Sequence, residues 1–565
     1  MRRLVLTIAI PVFATTAAAQ DIPAGDQPGQ IERRFQDQPA PRSKPRLLRG
    51  LESTVPPARA KSMKLVLSAV NVVGSTVFKS ADFEPLYTEQ IGQRVTLADV
   101  FQIAAKITAH YGKRGYALSR AIIPPQELDE RGAQITIQLI EGYVDEVIWP
   151  DGLDDYRNYF DDYSSKIIAD RPLRVQTMER YLLLANDLPG LTFQSNLRAS
   201  KTNPGASTMV LTLKKKEFDA SASVDNRGTE SSGPLQSTLS ASANNVLGKH
   251  ERFTFGYTNA GPENGPSKSE LHYFSGQLSK TLSSEGLTLD LSVNGSVGEP
   301  GNDTLVRLET ETISLNASLG LKYPFLRTRP ENLTGSVSLE FKNSETIQLD
   351  QSVSEDRLRF VHAELSWDKA DEYKGTNQII VSSSKGFVGL GSTDNDNAQA
   401  SRSNGKVDFF KGTITASRTQ SLSDRHQLYV GLFAQYAPHA LLSSQECGYG
   451  GVSYGRGFAP SIITGDRCLM GFAEARYNVS LQTIGLSSWL DYLQVYSFAD
   501  YGRIWNIDAP LGSAALDDAA SGGFGFRFGK DWLTADIVAT STLLEPESTD
   551  DPQDRRVFFR LNARY

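Results

Sequence analysis

The sequence predicts two small α/β domains followed by an antiparallel β-barrel that spans a membrane. Outside the extreme N-terminus, no apolar run approaches the ~18–20 residues that a membrane-spanning helix requires, which excludes a helical membrane protein. The mean hydropathy of −0.32 still allows a barrel, because its strands alternate polar with apolar residues. Residues 218–565 show that alternation and almost no helical periodicity.

The charge and composition of the chain argue against several classes of function. The chain has 58 Lys+Arg against 65 Asp+Glu, a net charge of −7, and no basic block. This argues against a nucleic-acid partner, since phosphate binding needs clustered cations. Six widely spaced histidines and two cysteines offer no metal site. No P-loop or G-x-G-x-x-G motif opens a helix after a strand, so we expect neither metal nor cofactor.

The N-terminus predicts export. Arg2 and Arg3 precede an apolar stretch and Ala17–Ala19 provide a cleavage site, so residues 1–19 are interpreted as a signal peptide; the alternative is a short helical anchor. Export allows the two cysteines to pair. Residues 20–62 are polar and rich in proline, with a short helix expected over residues 30–37, and are interpreted as a linker or detachable arm.

Residues 63–147 and 148–217 predict the two α/β domains. In the first, a strand from Lys64 to Gly74 precedes an amphipathic helix capped by Thr96, and strands are expected over residues 117–123 and 134–140. The second repeats the plan more loosely. A small sheet leaves an exposed edge that can accept an extended peptide; a purely structural spacer is an equally good interpretation of the pattern alone.

Residues 218–565 predict the barrel. Segments such as 287–295 and 333–341 alternate, and polar stretches of very different length, such as 298–304 and 391–405, separate them. A soluble β-sandwich also alternates, but unequal loops fit a barrel with short turns at one end. A sheet in lipid must close, because open edges leave polar groups unsatisfied. The last segment alternates and ends at Tyr565, as the closing strand of an outer-membrane barrel does.

Several motifs resemble those of two-partner secretion transporters of the TpsB type, the hemolysin secretion/activation protein family of the POTRA-barrel superfamily. They are Val72-Val73-Gly74, Gly92, Tyr111, Gly115-Tyr116, Ile123-Pro124-Pro125-Gln126, Glu141-Gly142 and, for a second POTRA domain, Leu188-Pro189-Gly190 and Pro204–Ser207. The resemblance implies two periplasmic POTRA domains and a 16-stranded outer-membrane barrel. It also implies substrate binding by POTRA residues, here Tyr111, Gly115, Tyr116, Pro124 and Gln126.

Two motifs in the barrel half resemble the family's inserted loop and its anchor. The first carries the tip Arg456-Gly457-Phe458, and the second carries Phe498, Asp500 and Gly502. Arginine offers a planar fork to a carboxylate, so the expected contact joins Arg456 to Asp500. Gly502 faces inward on the same strand and is expected to leave room for the approaching tip. Cys447 and Cys468 flank the tip, and a disulfide across the loop base would contribute about 3 kcal/mol.

The resemblance implies a transporter, without enzymatic activity, that recognises an unfolded exoprotein (a TpsA-type passenger) and secretes it through its pore. Outer-membrane lipids and, during biogenesis, the barrel-assembly machinery are further expected partners of a monomer. A barrel-assembly factor of the same superfamily is the nearest alternative, and a passive porin another. An esterase using the G-x-S-x-G at Ser453 is disfavoured, because all six histidines precede that serine.

Overall fold

The computed structural model describes most of the chain. The described residues are 22–35, 39–45, 58–129, 131–203, 205–261, 269–509, 514–548 and 554–565. The expected signal peptide lies outside them. Within these ranges, none of the helices is long and apolar enough to cross a membrane.

In the described part of the N-terminal segment, residues 28–34 form the short α-helix α1 (Pro28–Arg34). It begins two residues before the predicted start, with Pro28 in the first turn, where a missing N–H costs nothing. It ends at Arg34, and Phe35 closes it through a backbone bond to Glu32.

The first α/β domain is a four-stranded sheet covered by one long helix. Its elements are β1 (Lys64–Val73), β2 (Arg94–Thr96), α2 (Leu97–Lys113), β3 (Arg120–Ile122) and β4 (Ala133–Ile140), with strand order β2–β1–β4–β3. Thr96 caps α2 as predicted by accepting the N–H of Asp99. The strand expected over 117–123 is shorter, because Ser119 closes a turn onto Tyr116.

The second α/β domain is a three-stranded sheet with two helices. Its elements are β5 (Tyr143–Ile148), α3 (Arg157–Ala169), α4 (Val175–Asp187), β6 (Leu191–Ala199) and β7 (Ala206–Lys215), with strand order β5–β7–β6. Strand β5 pairs with β7 in parallel, so the second sheet begins at Tyr143. The expected boundary after residue 147 is therefore wrong by five residues. The sequence pattern missed β5 because it follows β4 after only two residues.

The remaining chain closes into an antiparallel barrel of sixteen strands, which confirms the predicted fold class. Two further short strands, β19 and β20, pair with each other inside one connecting loop. The strands, in chain order, are β8 (Phe218–Asp225), β9 (Leu235–Asn244), β10 (Glu251–Gly261), β11 (Leu271–Thr281), β12 (Thr288–Gly298), β13 (Glu311–Arg327), β14 (Glu331–Gln348), β15 (Gln351–Ala370), β16 (Gly375–Gly386), β17 (Phe410–Ser421), β18 (His426–Tyr436), β19 (Cys447–Tyr449), β20 (Ile463–Gly465), β21 (Arg467–Asn478), β22 (Tyr492–Trp505), β23 (Leu516–Lys530), β24 (Leu533–Leu544) and β25 (Arg555–Arg564). A short helix, α5 (Asp303–Arg307), lies between β12 and β13.

The predicted alternation decides which side chains face outward. Phe253 and Phe255 on β10 and Val557 on β25 are exposed on the outer face, where a membrane would solvate them. Strand β25 closes the barrel by pairing with β8, from Arg560↔Asp225 to Arg564↔Ser221. The sheet thus closes on itself, as a β-sheet in lipid must.

Helix α1 lies inside the barrel. Ile31 is fully buried against Ala260 and Leu271 of the wall, and Phe35 packs on Tyr273 with ring centroids 4.6 Å apart. Residues 39–45 also contact the wall, where the Ser43 N–H donates to Asp368 Oδ2 at 2.7 Å. Lys44 and Pro45 lie at the turn between β13 and β14, where the Lys44 N–H donates to the Arg329 carbonyl at 2.8 Å and Arg329 Nε donates to the Pro45 carbonyl at 2.9 Å.

The second α/β domain docks on the turns at the same end of the barrel. Arg327, at the end of β13, forms a forked ion pair with Asp187 at 2.8 and 2.9 Å. Arg180 of α4 reaches Glu285 at 2.9 Å. His250 lies beneath the rings of Tyr156 and Tyr159, at centroid distances of 4.5 and 4.4 Å. Charged pairs and ring contacts together hold this domain against the opening of the pore.

Candidate functional site

The connection between β18 and β21, residues 437–466, folds into the lumen. We call it the inserted loop. Its strands β19 and β20 form a small hairpin, and a disulfide joins Cys447 to Cys468 at the base, as the sequence predicted. The loop therefore enters the pore as a closed unit that both ends attach to the wall.

The tip of the inserted loop meets the wall through Arg456. Its guanidinium Nη2 lies 2.9 Å from Asp500 Oδ1, and its backbone N–H donates to Asp500 Oδ2 at 2.8 Å. Phe498 lies under the guanidinium, with its ring centroid 3.7 Å from Cζ. Asp500 is 3% exposed, so the pair is shielded from the screening that weakens surface ion pairs. The contact expected between Arg456 and Asp500 is present.

A second carboxylate, Glu474 of β21, also binds Arg456. Its Oε2 accepts from Nη1 of that arginine, while its Oε1 accepts from Arg476 at 2.6 Å and Arg527 at 2.7 Å. Glu474 therefore joins three arginines, and Arg456 spans two carboxylates on adjacent strands. This contact of Glu474 was not assigned from the sequence. Glu474 and Arg476 are two residues apart on one strand, so both side chains face inward. This spacing could have indicated that Glu474 lies near the arginines of the lumen.

Glycines let the loop approach the wall closely. A Cβ on Gly502 would lie 2.2 Å from the ring of Tyr449, and one on Gly457 would lie 2.7 Å from Ser521 Cβ. The Gly457 N–H donates to Ser521 Oγ at 3.1 Å. Phe458 is 1% exposed and packs on Tyr449. Gly502 thus makes room for Tyr449, whereas we expected it to make room for the Arg-Gly-Phe tip.

A second charged cluster holds the base of the inserted loop. Asp466 is fully buried and accepts from Arg402 at 2.6 Å, from the Leu441 N–H at 2.7 Å and from the Ile507 N–H at 2.8 Å. Arg402 also reaches Glu446 at 2.7 Å. Burial raises the pKa of the Glu446 carboxyl to about 7. Arg402 belongs to another connection, residues 387–409, so this cluster ties three loops together, and the sequence reasoning missed it.

Helix α1 is held by polar groups of the wall and the inserted loop. Glu32 accepts from Lys342 Nζ at 2.5 Å and from Asn316 at 3.2 Å. Gln30 donates to the Ser443 carbonyl of the inserted loop at 2.6 Å. Just before the helix, Asp26 accepts from the hydroxyls of Thr229, Ser231 and Ser232 and pairs with Arg34 at 2.8 Å. The helix and the inserted loop thus lie together in the lumen and contact each other there.

A family model described as "Haemolysin secretion/activation protein ShlB/FhaC/HecB" matches residues 205–528, more than half of the chain. The chain belongs to this family. A second model, "POTRA domain, ShlB-type", matches residues 65–142. Its end coincides with the start of β5, which supports the structural boundary at Gly142. Family and barrel together place the chain in the outer membrane with its α/β domains in the periplasm.

The individual relatives share only a low sequence identity with this chain. The chain is 24% identical over 377 residues to the "Heme/hemopexin transporter protein HuxB" of Haemophilus influenzae, a match that covers 65% of this chain and 64% of the relative's length. The fold is similar to "CdiB from Escherichia coli", with a TM-score of 0.69, 19% identity and coverage of 92% and 94% of the two chains. "CdiB from Acinetobacter baumannii" gives a TM-score of 0.60 and 15% identity over 95% of each chain.

The POTRA residues that the resemblance suggested for substrate binding have mainly internal contacts. Tyr111 is fully buried and donates to Glu141 at 2.7 Å; burial raises the pKa of its hydroxyl. Tyr116 packs on Tyr111. The Gly115 carbonyl accepts the Val175 N–H of the next domain at 2.8 Å. These three contacts stabilise the domain and its junction with the second one.

Gln126 and Pro124 lie beside the edge of the first sheet. The Gln126 amide donates to the Thr136 carbonyl at 3.0 Å and accepts the Thr136 N–H at 2.8 Å. It also reaches the Pro124 carbonyl at 3.3 Å. The side chain therefore occupies the place of a neighbouring strand along β4.

Ser453, the serine of the G-x-S-x-G sequence, lies in the turns of the inserted loop. Residues 450–458 form bends and turns, with no helix after the serine. A nucleophile elbow needs a strand-to-helix turn to raise its hydroxyl, so the local backbone gives Ser453 another geometry. No group of three His, Cys, Asp or Glu side chains in the described part of the chain could hold a metal ion.

Proposed function

We propose that this chain receives an unfolded exported polypeptide in the periplasm and passes it through the barrel lumen to the cell surface. The observation that carries the proposal is that two segments of the chain lie inside the pore. Helix α1 and the inserted loop enter it as separate segments, held to the wall largely by hydrogen bonds and ion pairs. A passive pore needs no such filling, whereas a protein-conducting path has to be closed until its substrate arrives.

In this proposal Arg456 and Asp500 form a latch that sets the position of the loop tip. Arg456→Ala and Asp500→Ala should abolish most secretion while the barrel still reaches the outer membrane. Secreted and cell-bound exoprotein would be measured in cells that express each variant with its partner. Arg503→Ala is the matched control, because Arg503 lies on the same strand in a half-exposed pair with Asp518. Normal secretion by both latch variants would refute this role.

We further propose that the substrate adds a strand to the edge of β6 in the second α/β domain. Within the described residues β6 pairs only with β7, and Ser195 and Asn196 are exposed. Phe193 donates its N–H to Asn186 and not to β7, so the N–H of Ser195, two residues on, points to the free edge. In the first domain, in contrast, β3 pairs with β4 at residues 138–140, and Gln126 binds the next outward-facing position of β4, Thr136.

Ser195→Pro tests the capture site. Proline at position 195 removes one backbone N–H that points to the free edge. The hydrogen bonds between β6 and β7 remain, because the Ser195 N–H does not donate to β7. Crosslinking of the N-terminal region of the exoprotein to the purified transporter should fall several-fold. Ser195→Ala keeps the N–H and should behave as the wild type. Equal crosslinking by the proline variant, with its fold checked by circular dichroism, would exclude this edge.

The remaining partners follow from the same proposal. A secreted exoprotein is the substrate, and membrane lipids surround the exposed outer face. The barrel-assembly machinery inserts the chain into the membrane. The chain acts as a monomer and has no enzymatic activity. The second α/β domain would act as a second POTRA domain. Barrel assembly is the less favoured function, because the matching family model is described by secretion and activation.

A further inference from the structure

A small cavity beside the loop tip is lined by an excess of arginine. Its volume is about 100 Å³, and its lining includes Arg227, Arg456, Arg527 and Arg560. Of the described residues that line it, only Asp536 is acidic. A water molecule takes about 30 Å³ in the liquid, so the cavity has room for a small polyatomic ion.

Three of the four arginines already have carboxylate partners. Arg456 pairs with Asp500. Arg527 pairs with Asp536 at 3.0 Å and with Glu474, and Arg560 pairs with Asp225 at 3.3 Å. Asp536 has a further donor, the hydroxyl of Tyr496 at 2.6 Å. The carboxylates around the cavity are therefore committed to other donors.

Arg227 is the exception. Among the described residues no carboxylate contacts its guanidinium, which lies over the ring of Phe558 with Cζ 4.3 Å from the centroid. A partly buried charge without a partner is costly. A bound anion would remove this cost.

We propose that this cavity binds a tetrahedral oxyanion of the phosphate or sulfate type, with Arg227 as the main ligand. A guanidinium presents paired N–H donors that match two oxygens of such an ion. Arg227 belongs to residues 226–234, the same connection whose hydroxyls hold Asp26 near helix α1. The ion would therefore link that connection to Arg456 of the inserted loop. This inference does not depend on transport.

The test uses the full-length protein in detergent. Isothermal titration with sodium phosphate should give saturable binding, and phosphate should raise the unfolding temperature as a ligand of the folded state does. Sodium chloride at equal ionic strength should do neither, and sulfate should compete with phosphate. Equal effects of chloride and phosphate, or no binding of either oxyanion, would overturn the proposal.

Two variants locate the site. R227Q should bind phosphate about tenfold more weakly, the loss expected for a charge-assisted hydrogen bond. R307Q removes the same charge from the exposed end of α5 and should bind as the wild type. If R227Q fails to fold, R227K serves instead, because it keeps the charge, loses the fork and should also bind more weakly. Unchanged phosphate affinity in the folded Arg227 variant would place the ion elsewhere and refute the site.

Discussion

The inserted loop and helix α1 both fill the lumen, yet the barrel holds them in different ways. The loop is continuous with β18 and β21, closed by a disulfide, and fixed at its tip by Arg456 between two buried carboxylates. The helix and Asp26 just before it contact hydroxyl, amide and lysine groups of the wall. In the proposed function the helix leaves the pore as a unit, whereas the loop rearranges in place because both of its ends continue into wall strands.

Removing the latch arginine, Arg456, should change the attachment of the inserted loop more than any other variant changes the loop or the helix. Arg456→Ala leaves Asp500 buried without its cation, which costs about 3–5 kcal/mol in comparable buried pairs. We expect the inserted loop to become accessible to proteases while α1 stays bound. Limited proteolysis and urea unfolding would measure both changes.

The control for that experiment is Arg503→Ala, whose half-exposed pair with Asp518 should contribute less than about 1 kcal/mol. A loop that stays protected in the Arg456 variant would show that the disulfide and the apolar contacts hold it without the latch.

Releasing the helix should have an intermediate effect. Asp26→Ala removes the acceptor of three hydroxyls and the partner of Arg34. The loss of about 1–3 kcal/mol expected for charged hydrogen bonds would increase the open fraction of the pore about tenfold or more. Single-channel recordings in planar bilayers would measure it. Asp303→Ala changes an exposed acid of α5 and should leave the recordings unchanged. Equal closed times for both variants would mean that other contacts keep the helix in place.

The smallest expected effect is a pH dependence at the boundary between loop and helix. Burial raises the pKa of Glu446 to about 7, with Arg402, Asp466 and Arg33 as neighbouring charges. The folded protein then binds a proton that the unfolded chain, with an ordinary pKa near 4.3, has already released. Below about pH 4 the Glu446 carboxyl makes its full contribution to the free energy of unfolding. This contribution is lost as the pH rises through 7. Between pH 6 and 8 the loss amounts to about 1 kcal/mol.

Urea unfolding at the two pH values would measure this difference. Glu446→Gln, which cannot ionise, should remove that part of the pH dependence. A stability that rises from pH 6 to 8, in a manner that depends on Glu446, would contradict the sign.

Much of the architecture could be predicted from local pattern. Alternation identified the barrel region, because each strand has one face toward lipid and one toward the lumen. Spacing of three and four residues, with Thr96 as cap, identified α2. The boundary near residue 147 failed, because β5 finds its partner β7 more than sixty residues later. A strand whose pairing is that distant leaves little local signal.

Part of the candidate site could also be predicted. Arg456 and Asp500 were paired because their motifs resemble a known loop and its anchor, and the cysteines because they flank that loop. The partners Glu474 and Arg402 and the hydroxyls around Asp26 were missed. These contacts join residues from different strands and loops, and they exist only once the barrel has closed.

The sequence by itself determined the kind of protein this is: periodicity and composition specify strands, helices and a membrane-facing barrel through local physical chemistry. Only the tertiary structure decided what fills the pore and what holds it. Closing the sheet brings Asp26 beside Ser231, Glu32 beside Lys342 and four arginines around one cavity. Buried charges must find partners at short range, and which partners they find depends on strand register and loop path, which no local pattern encodes.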